Sequence, residues 1–241
     1  MRQLLPLLEE SWDRALVVVA HPDDVEYSGL GAAVARWTAR GKKVAYLVLT
    51  RGEAGMDRTE ADEAADLRTA EQLSAARAVG VGAVEFADLP DGAVEYGVPL
   101  RCLIAATVRR HRPGALFTLS PHLESGQGGY NSADHRSASL ATLDAARDAG
   151  NRWVCRHLDG KASEPWAGVR MVGCAVSPAP THAIDVSDYV EAGVTALLQH
   201  RAYIESVSSP EETEAMLRQS LRRSGTALGV QAALPLQVFA V

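Results

Sequence analysis

Three nearly unbroken apolar runs, Ala15–Ala20, Val44–Thr50 and Ala115–Ser120, constrain this 241-residue chain more than any other feature. Strands without polar alternation belong to a parallel sheet covered on both faces. The text between them, Gly29–Arg40, Glu60–Val79 and Leu100–His111, carries helical spacing, with Gly41, Gly80 and Gly82 as stops and Val84–Ala87 as a further short strand. Right-handed crossovers then give a Rossmann-like, doubly wound, mainly parallel α/β sheet with helices on both faces. Pro121–Ala133 is too polar and too rich in Gly and Ser for a core element and reads as a loop, and Asp134–Ala149 reads as a helix. Beyond Gly168 the pattern changes to strand-like Val169–Val176 and Ala183–Val186, then helices over Val190–Ile204 and Glu211–Arg223. We read residues 1–241 as one domain, with a core in 1–150 and a small C-terminal extension in 151–241. The apolar tail Leu234–Val241 is either a core strand or a subunit contact, which leaves a homo-oligomer open.

A composition of 47% hydrophobic and 22% charged residues supplies a sizeable core, and the net charge of −6 argues against nucleic-acid or anionic-membrane partners. No stretch approaches the ~20 apolar residues that span a bilayer. The leucine-rich start (Leu4, Leu5, Leu7, Leu8) lacks the basic flank and cleavage pattern of a signal peptide. The three cysteines, Cys102, Cys155 and Cys174, are far apart and form no C-x-x-C pair, so reduced thiols and a cytoplasmic location are expected.

The chemistry gathers where the first strand ends, in Ala20-His21-Pro22-Asp23-Asp24-Val25-Glu26. Ligands of open α/β sheets sit at the carboxyl ends of strands. Several acids placed together there are costly unless a cation or a chemical task compensates them. Pro22 stiffens the turn, and the H-x-x-D spacing lets His21 and Asp24 converge on one cation while Asp23 points elsewhere. His135, after Tyr130-Asn131-Ser132-Ala133-Asp134, supplies a third ligand from another strand end. Two imidazoles and a carboxylate with an open position are a zinc set of the hydrolase type; iron, cobalt or manganese also suits such donors. Asp134 is either a partner of the ligands or a helix cap. Dinucleotide binding at Gly29-x-Gly31 is disfavoured, because the third glycine is replaced by Val34 and the adjoining acids would repel a pyrophosphate. Glu53 either lines the cleft or is an ordinary loop acid, Arg68 is either solvated or functional, and Asp91-Gly92 is a turn signal with a possible ligand contact. His111, His122, His157 and His200 lack metal-like partners by spacing and read as surface or capping residues, whereas His182 is a candidate to face the cleft.

These residues resemble the LmbE/PIG-L family of zinc-dependent N-deacetylases. The resemblance rests on A-H-P-D-D-x-E from Ala20 to Glu26, on Thr50-Arg51-Gly52-Glu53-Ala54-Gly55, on the Arg68–Val81 helix and its V-G-V turn, on Leu89-Pro90-Asp91-Gly92 and on Asp134-His135. It covers about the first 140 residues. It implies His21, Asp24 and His135 as zinc ligands, Asp23 as general base, Asp134 as the residue orienting the machinery, Tyr130 as an oxyanion donor, and Arg68 and Asp91 as substrate contacts. The implied reaction removes an N-acyl group, most simply acetyl, from an amino sugar or related small amide. One departure stands out: the family's H-x-D-H motif has Ser132 at its first position, so either Tyr130 or another group such as His182 assists the oxyanion, or the reaction differs, or activity is low. An amidase of thiol conjugates and a non-catalytic metal- or sugar-binding homologue are the alternatives.

Overall fold

The computed structural model describes residues 5–155 and 164–241; His157 and Leu4 lie outside them. β1 (Arg14–Val19) runs through the middle of a seven-stranded sheet and carries Leu16, Val17, Val18 and Val19 with no exposed surface. It pairs in parallel with β2 (Lys43–Val48) on one side and β4 (Ala115–Thr118) on the other, with Val17 opposite both Tyr46 and Phe117. β3 (Ala83–Phe86) extends the β2 edge. Beyond β4 lie β5 (Met171–Ala175), then β7 (Ala233–Ala240) and β6 (His182–Asp185), giving the order β3-β2-β1-β4-β5-β7-β6.

β7 is antiparallel to both β5 and β6, so the sheet is mixed rather than wholly parallel. The tail Leu234–Val241 thus supplies a core strand, with Leu234 and Leu236 buried. The region expected to be a small extension instead completes the same sheet with three of its strands.

Alternate side chains of β1 face two apolar layers. Val17 and Val19 meet α2 (Leu30–Ala39), α6 (Val190–Leu197) and α8 (Pro210–Leu228), while Leu16 and Val18 meet α4 (Val98–His111) and α5 (Ala133–Asp148). Trp37 lies against Phe117 at 4.4 Å between ring centroids, with Trp12 edge-on to both. Gly193 of α6 lets that helix press onto α2, because a Cβ there would stand 2.9 Å from the Ala32 Cβ. The long α3 (Ala61–Ala78) flanks the β2–β3 half.

Two expectations fail here. The single helix over Val190–Ile204 is broken at residues 198–200, and α7 (Arg201–Val207) starts afresh. Cys102 and Cys155 form a disulfide with Cα atoms 5.2 Å apart, and only Cys174 is a free, buried thiol. The pairing was hidden because 53 residues separate the partners and only the packing of α4 beside α5 brings them together. The expectation of reduced thiols is therefore corrected, and the inference of a reducing compartment loses its basis. Among the described residues no helix is long and apolar enough to cross a membrane.

Candidate metal centre and active site

Strand order reverses between β1 and β4, and the loops leaving the carboxyl ends of these two strands meet above the gap. From β1 come His21, Asp23 and Asp24; Asp23 precedes the short α1 (Asp24–Tyr27), and its carbonyl, not its side chain, accepts the first helical amides. From β4 comes the loop ending in Asn131, Ser132, Asp134 and His135, the last two in the first turn of α5. Residues 114 positions apart in sequence thus lie with His21 Nδ1 3.2 Å from His135 Nε2.

Asp24 is set by the strand end. Its Oδ2 accepts the amides of Ala20 and His21 at 3.0 and 2.9 Å, leaving Oδ1 3.0 Å from His135 Nε2. The ligand atoms of His21, Asp24 and His135 all lie within 4.8 Å of one another. Each imidazole is oriented from its far side. His21 Nε2 faces Asp91 Oδ1 at 3.1 Å and Asp134 Oδ2 at 3.3 Å. Asp134 is itself held by the amides of Gly92 and Val94, and Asp91 by the amide of Ala54. His135 Nδ1 faces Asn131 Oδ1 at 3.1 Å. With both far nitrogens donating to oxygens, neutral His21 and His135 rings would turn the Nδ1 and Nε2 lone pairs toward the Asp24 carboxylate. Two lone pairs and a carboxylate aimed at one point repel unless a cation lies among them, so this donor set fits a divalent transition metal. A second grouping, His21 with Asp91 and Asp134, also lies within ligand distance; there both Asp134 oxygens accept backbone amides and Asp91 Oδ1 faces His21 Nε2.

The electrostatics follow from the same contacts. Burial disfavours the charged His21 ring, but Asp24, Asp134 and Asp91 together raise its pKa to about 12. His135 is raised as well, with Asp24 outweighing burial. Burial alone would raise Asp24, yet the two imidazoles pull it well below the usual carboxylate range. Asp23 behaves differently: burial pushes its carboxyl up to about 7, against the pull of Arg68.

Asp23 has a left-handed backbone (φ +87°), and its Oδ2 accepts from Arg68 Nη2 at 3.1 Å. Its other oxygen takes no partner among the described residues, and the residue lines the cleft. Arg68, only 3% exposed, also donates to the carbonyls of Gly52 and Pro22, and its guanidinium lies 4.1 Å from the centroid of the Tyr203 ring. A Cβ on Gly52 or Gly55 would overlap that guanidinium, so the glycines of the T-R-G-E-A-G turn make its berth.

The cleft has a volume of about 750 Å³. One wall carries His21, Asp23, Asp24, Asp91, Ser132 and His135; α7 and α8 supply Tyr203, Val207, Glu212 and Met216 opposite. Several expected residues fall elsewhere. Tyr130 is 70% exposed, does not line the cleft, and stacks under Arg136. Glu53 also lies off the cleft and accepts the Asp91 amide at 2.8 Å, so it braces Asp91. His182 lines a different cavity with Trp12, Arg14 and Met171, at the amino ends of the parallel strands. His200, read as a surface or capping residue, is wholly buried against Glu26. Ser132 caps α5 by accepting the His135 amide; Asp134 is therefore a partner of His21 and not the cap. Asn131 was missed, because an Asn in a Gly- and Ser-rich loop reads as a turn residue.

The fold and this strand-end cluster define an α/β protein with two histidines and an aspartate placed where they could hold a cation. The chain belongs to the PIG-L family, whose model, described as GlcNAc-PI de-N-acetylase, matches residues 16–146. It is 28% identical over 191 residues to a diacetylchitobiose deacetylase of Thermococcus kodakarensis, covering 78% of this chain and 69% of that protein. It is 34% identical over 178 residues to a 1D-myo-inositol 2-acetamido-2-deoxy-alpha-D-glucopyranoside deacetylase of Kineococcus radiotolerans, covering 57% of this chain and 48% of that relative. The chain thus spans about half the length of the second relative. In structure it resembles N,N'-diacetylchitobiose deacetylase from Pyrococcus horikoshii with a TM-score of 0.86, 20% identity, and coverage of 95% of this chain and 85% of that one. At that identity the likeness concerns the fold alone.

Proposed function

We propose that this protein is a metal-dependent N-deacetylase of a neutral N-acetylated amino sugar. The convergence of His21, Asp24 and His135 beside the half-free carboxylate of Asp23, in a PIG-L chain, carries that reading. His21, Asp24 and His135 would hold the cation, with zinc the best match to the donors. A divalent metal bound there supplies Lewis acidity, polarising the amide carbonyl and acidifying a water. Asp23, with its pKa near neutrality and Arg68 fixing one oxygen, takes a proton from the attacking water and returns it to the leaving amine. Ser132 keeps its hydroxyl proton while its Oγ accepts the His135 amide, so it can donate to the carbonyl oxygen. It thereby takes the task that Tyr130 and His182 are too far aside to perform. Asp91, braced by Glu53, retains lone pairs for a sugar hydroxyl.

Charge favours a neutral substrate. Asp23, Asp24, Asp91 and Glu212 line the cleft, and Arg68 is the single lysine or arginine among its described lining residues. Arg68 is already committed to Asp23, two carbonyls and an aromatic face. A phosphodiester on the substrate would find no unpaired basic side chain.

The test is release of free amine from N,N'-diacetylchitobiose and from an N-acetylglucosaminyl-inositol, with and without its phosphodiester, before and after chelation. The expected result is turnover of the neutral compounds that stops on chelation and returns with zinc. Metal-loaded protein that releases no amine from any N-acetyl sugar would overturn the reading.

A further inference from the structure

A buried chain of polar groups runs from the C-terminal third of the sequence, outside the family-matched span, to Asp23. It begins where the expected helix breaks. His200 turns inward at the α6–α7 corner with no exposed surface, and its Nε2 lies 3.2 Å from Glu26 Oε2. Glu26, equally buried, has its two oxygens 3.5 Å or less from Gln72 Nε2. Gln72, also fully buried, presents Oε1 to the Asp23 amide at 2.8 Å. Each partner fixes the next: Glu26 draws the NH2 end of Gln72, so the carbonyl end must face Asp23.

The same corner reaches the Asp23 carboxylate by a second route. Tyr203, three residues after His200, lies face-on to Arg68, which holds Asp23 Oδ2. Glu71 of α3 anchors the corner by accepting the amides of Ala202 and Tyr203.

Glu26, Gln72 and His200 do not line the cleft. A buried ion pair is weak support for stability, since apolar residues of similar volume serve as well or better. What this chain of bonds does supply is restraint at one place. Asp23 sits at φ +87°, a conformation that a residue other than glycine rarely adopts. Its amide hangs from Gln72 and its carboxylate from Arg68.

We propose that His200 and Tyr203 are positioning residues, which hold Asp23 in its strained, cleft-facing conformation through Glu26–Gln72 on the backbone side and Arg68 on the carboxylate side. The kinetic consequence rests on the reading of Asp23 as proton acceptor; the structural one does not.

Two measurements on the protein as purified test this. His200→Leu breaks the chain at its origin. Gln72→Met breaks it while leaving the Glu26–His200 pair intact, and serves if His200→Leu fails to fold. In kinetics with diacetylchitobiose, each should lower kcat by up to about 10²-fold with KM nearly unchanged, as misplacement of a reacting group does. In an Asp23→Asn background each should cost nothing further, because both act through the same residue. In amide hydrogen exchange, Asp23 should be protected in the native protein and exchange about tenfold faster in either variant, while Val17–Val19 do not change. An unaltered Asp23 exchange rate, or losses that multiply with Asp23→Asn, would overturn the proposal. If the native protein cleaves no N-acetyl sugar, the deacetylase reading falls and the exchange experiment still decides this one.

Discussion

Asn131 makes the sharpest test of the proposed metal centre, because its hydrogen bonds fix the orientation of its amide. Nδ2 donates to the carbonyls of Ser120 and His122 at 2.7 and 2.9 Å, so Oδ1 is the atom that faces His135 Nδ1. That contact keeps the proton on Nδ1 and the lone pair on Nε2, the nitrogen beside Asp24. Asn131→Ala removes the acceptor. Loss of such a partner behind a metal-bound imidazole lowers metal affinity by about 10- to 100-fold, or ~1.4–2.7 kcal/mol. The stabilisation gained on adding saturating metal should shrink by the same amount. Two carbonyls also lose their donor, at about 1–3 kcal/mol for each that water cannot reach.

Asn131→Asp separates the two effects. A carboxylate still accepts from Nδ1 but sets its second oxygen against the Ser120 and His122 carbonyls. The aspartate variant should therefore lose stability yet keep native metal affinity, whereas the alanine variant loses both. Competition with a chromophoric chelator gives the affinity, and calorimetric unfolding with and without zinc gives the stability. An alanine variant that binds zinc as tightly as the native protein would refute the argument, since His135 could then not be a ligand whose tautomer Asn131 sets.

Three further outcomes follow from the same geometry. In the metal-free protein the acids around His21 and His135 raise both imidazoles, so His21 is protonated at pH 7 and His135 holds its proton to higher pH than a free imidazole does. Their pairing stabilises the metal-free fold fully below the unfolded value near 6.5 and is lost as pH rises through the folded values. Zinc binding at pH 7 should then release at least the His21 proton and tighten as pH rises, measured by titration calorimetry in buffers of different ionisation enthalpy; zero release would contradict it. The Cys102–Cys155 bond closes a 53-residue separation, worth about 4 kcal/mol in the chain-entropy treatment. Cys102→Ser should lower the denaturant midpoint accordingly, and an unchanged midpoint would show that the bond does not form in solution. Ser132→Ala should cost about 1 kcal/mol of helix capping and about 10²–10³ in kcat, with Ser132→Thr retaining most of both; an unchanged kcat would remove Ser132 from the oxyanion role.

The parts of the centre legible in the sequence were those whose signal is local. His21, Asp23 and Asp24 follow directly on a strand that is apolar throughout, so strand, turn and chemistry are read in one window. Asp134-His135 opens a helix after a polar loop and is legible for the same reason. What stayed hidden needed distances between elements. The Cys102–Cys155 bond requires knowing that α4 and α5 lie side by side. Tyr130 matches a motif position, yet exposure and the stacking of Arg136 turn it out of the cleft. Glu53 was left open between the cleft and an ordinary loop and turns out to accept the Asp91 amide, while Arg68, expected to contact substrate, lines the cleft with its guanidinium bound to Asp23.

His200 shows the limit most clearly. Continuous helical spacing from Val190 to Ile204 hides a break at which His200 turns in to meet the buried carboxylate of Glu26 on α1. A periodicity argument weighs each segment against water, whereas the break is decided by what lies beneath it. The same logic lets the C-terminal third bear on a site whose proposed ligands all precede residue 136. The strand-end loops set where the proposed ligand atoms are, but a strained residue such as Asp23 stays in place only if something over-determines it; Gln72 and Arg68 of α3 touch it directly, and the α6–α7 corner lies behind them.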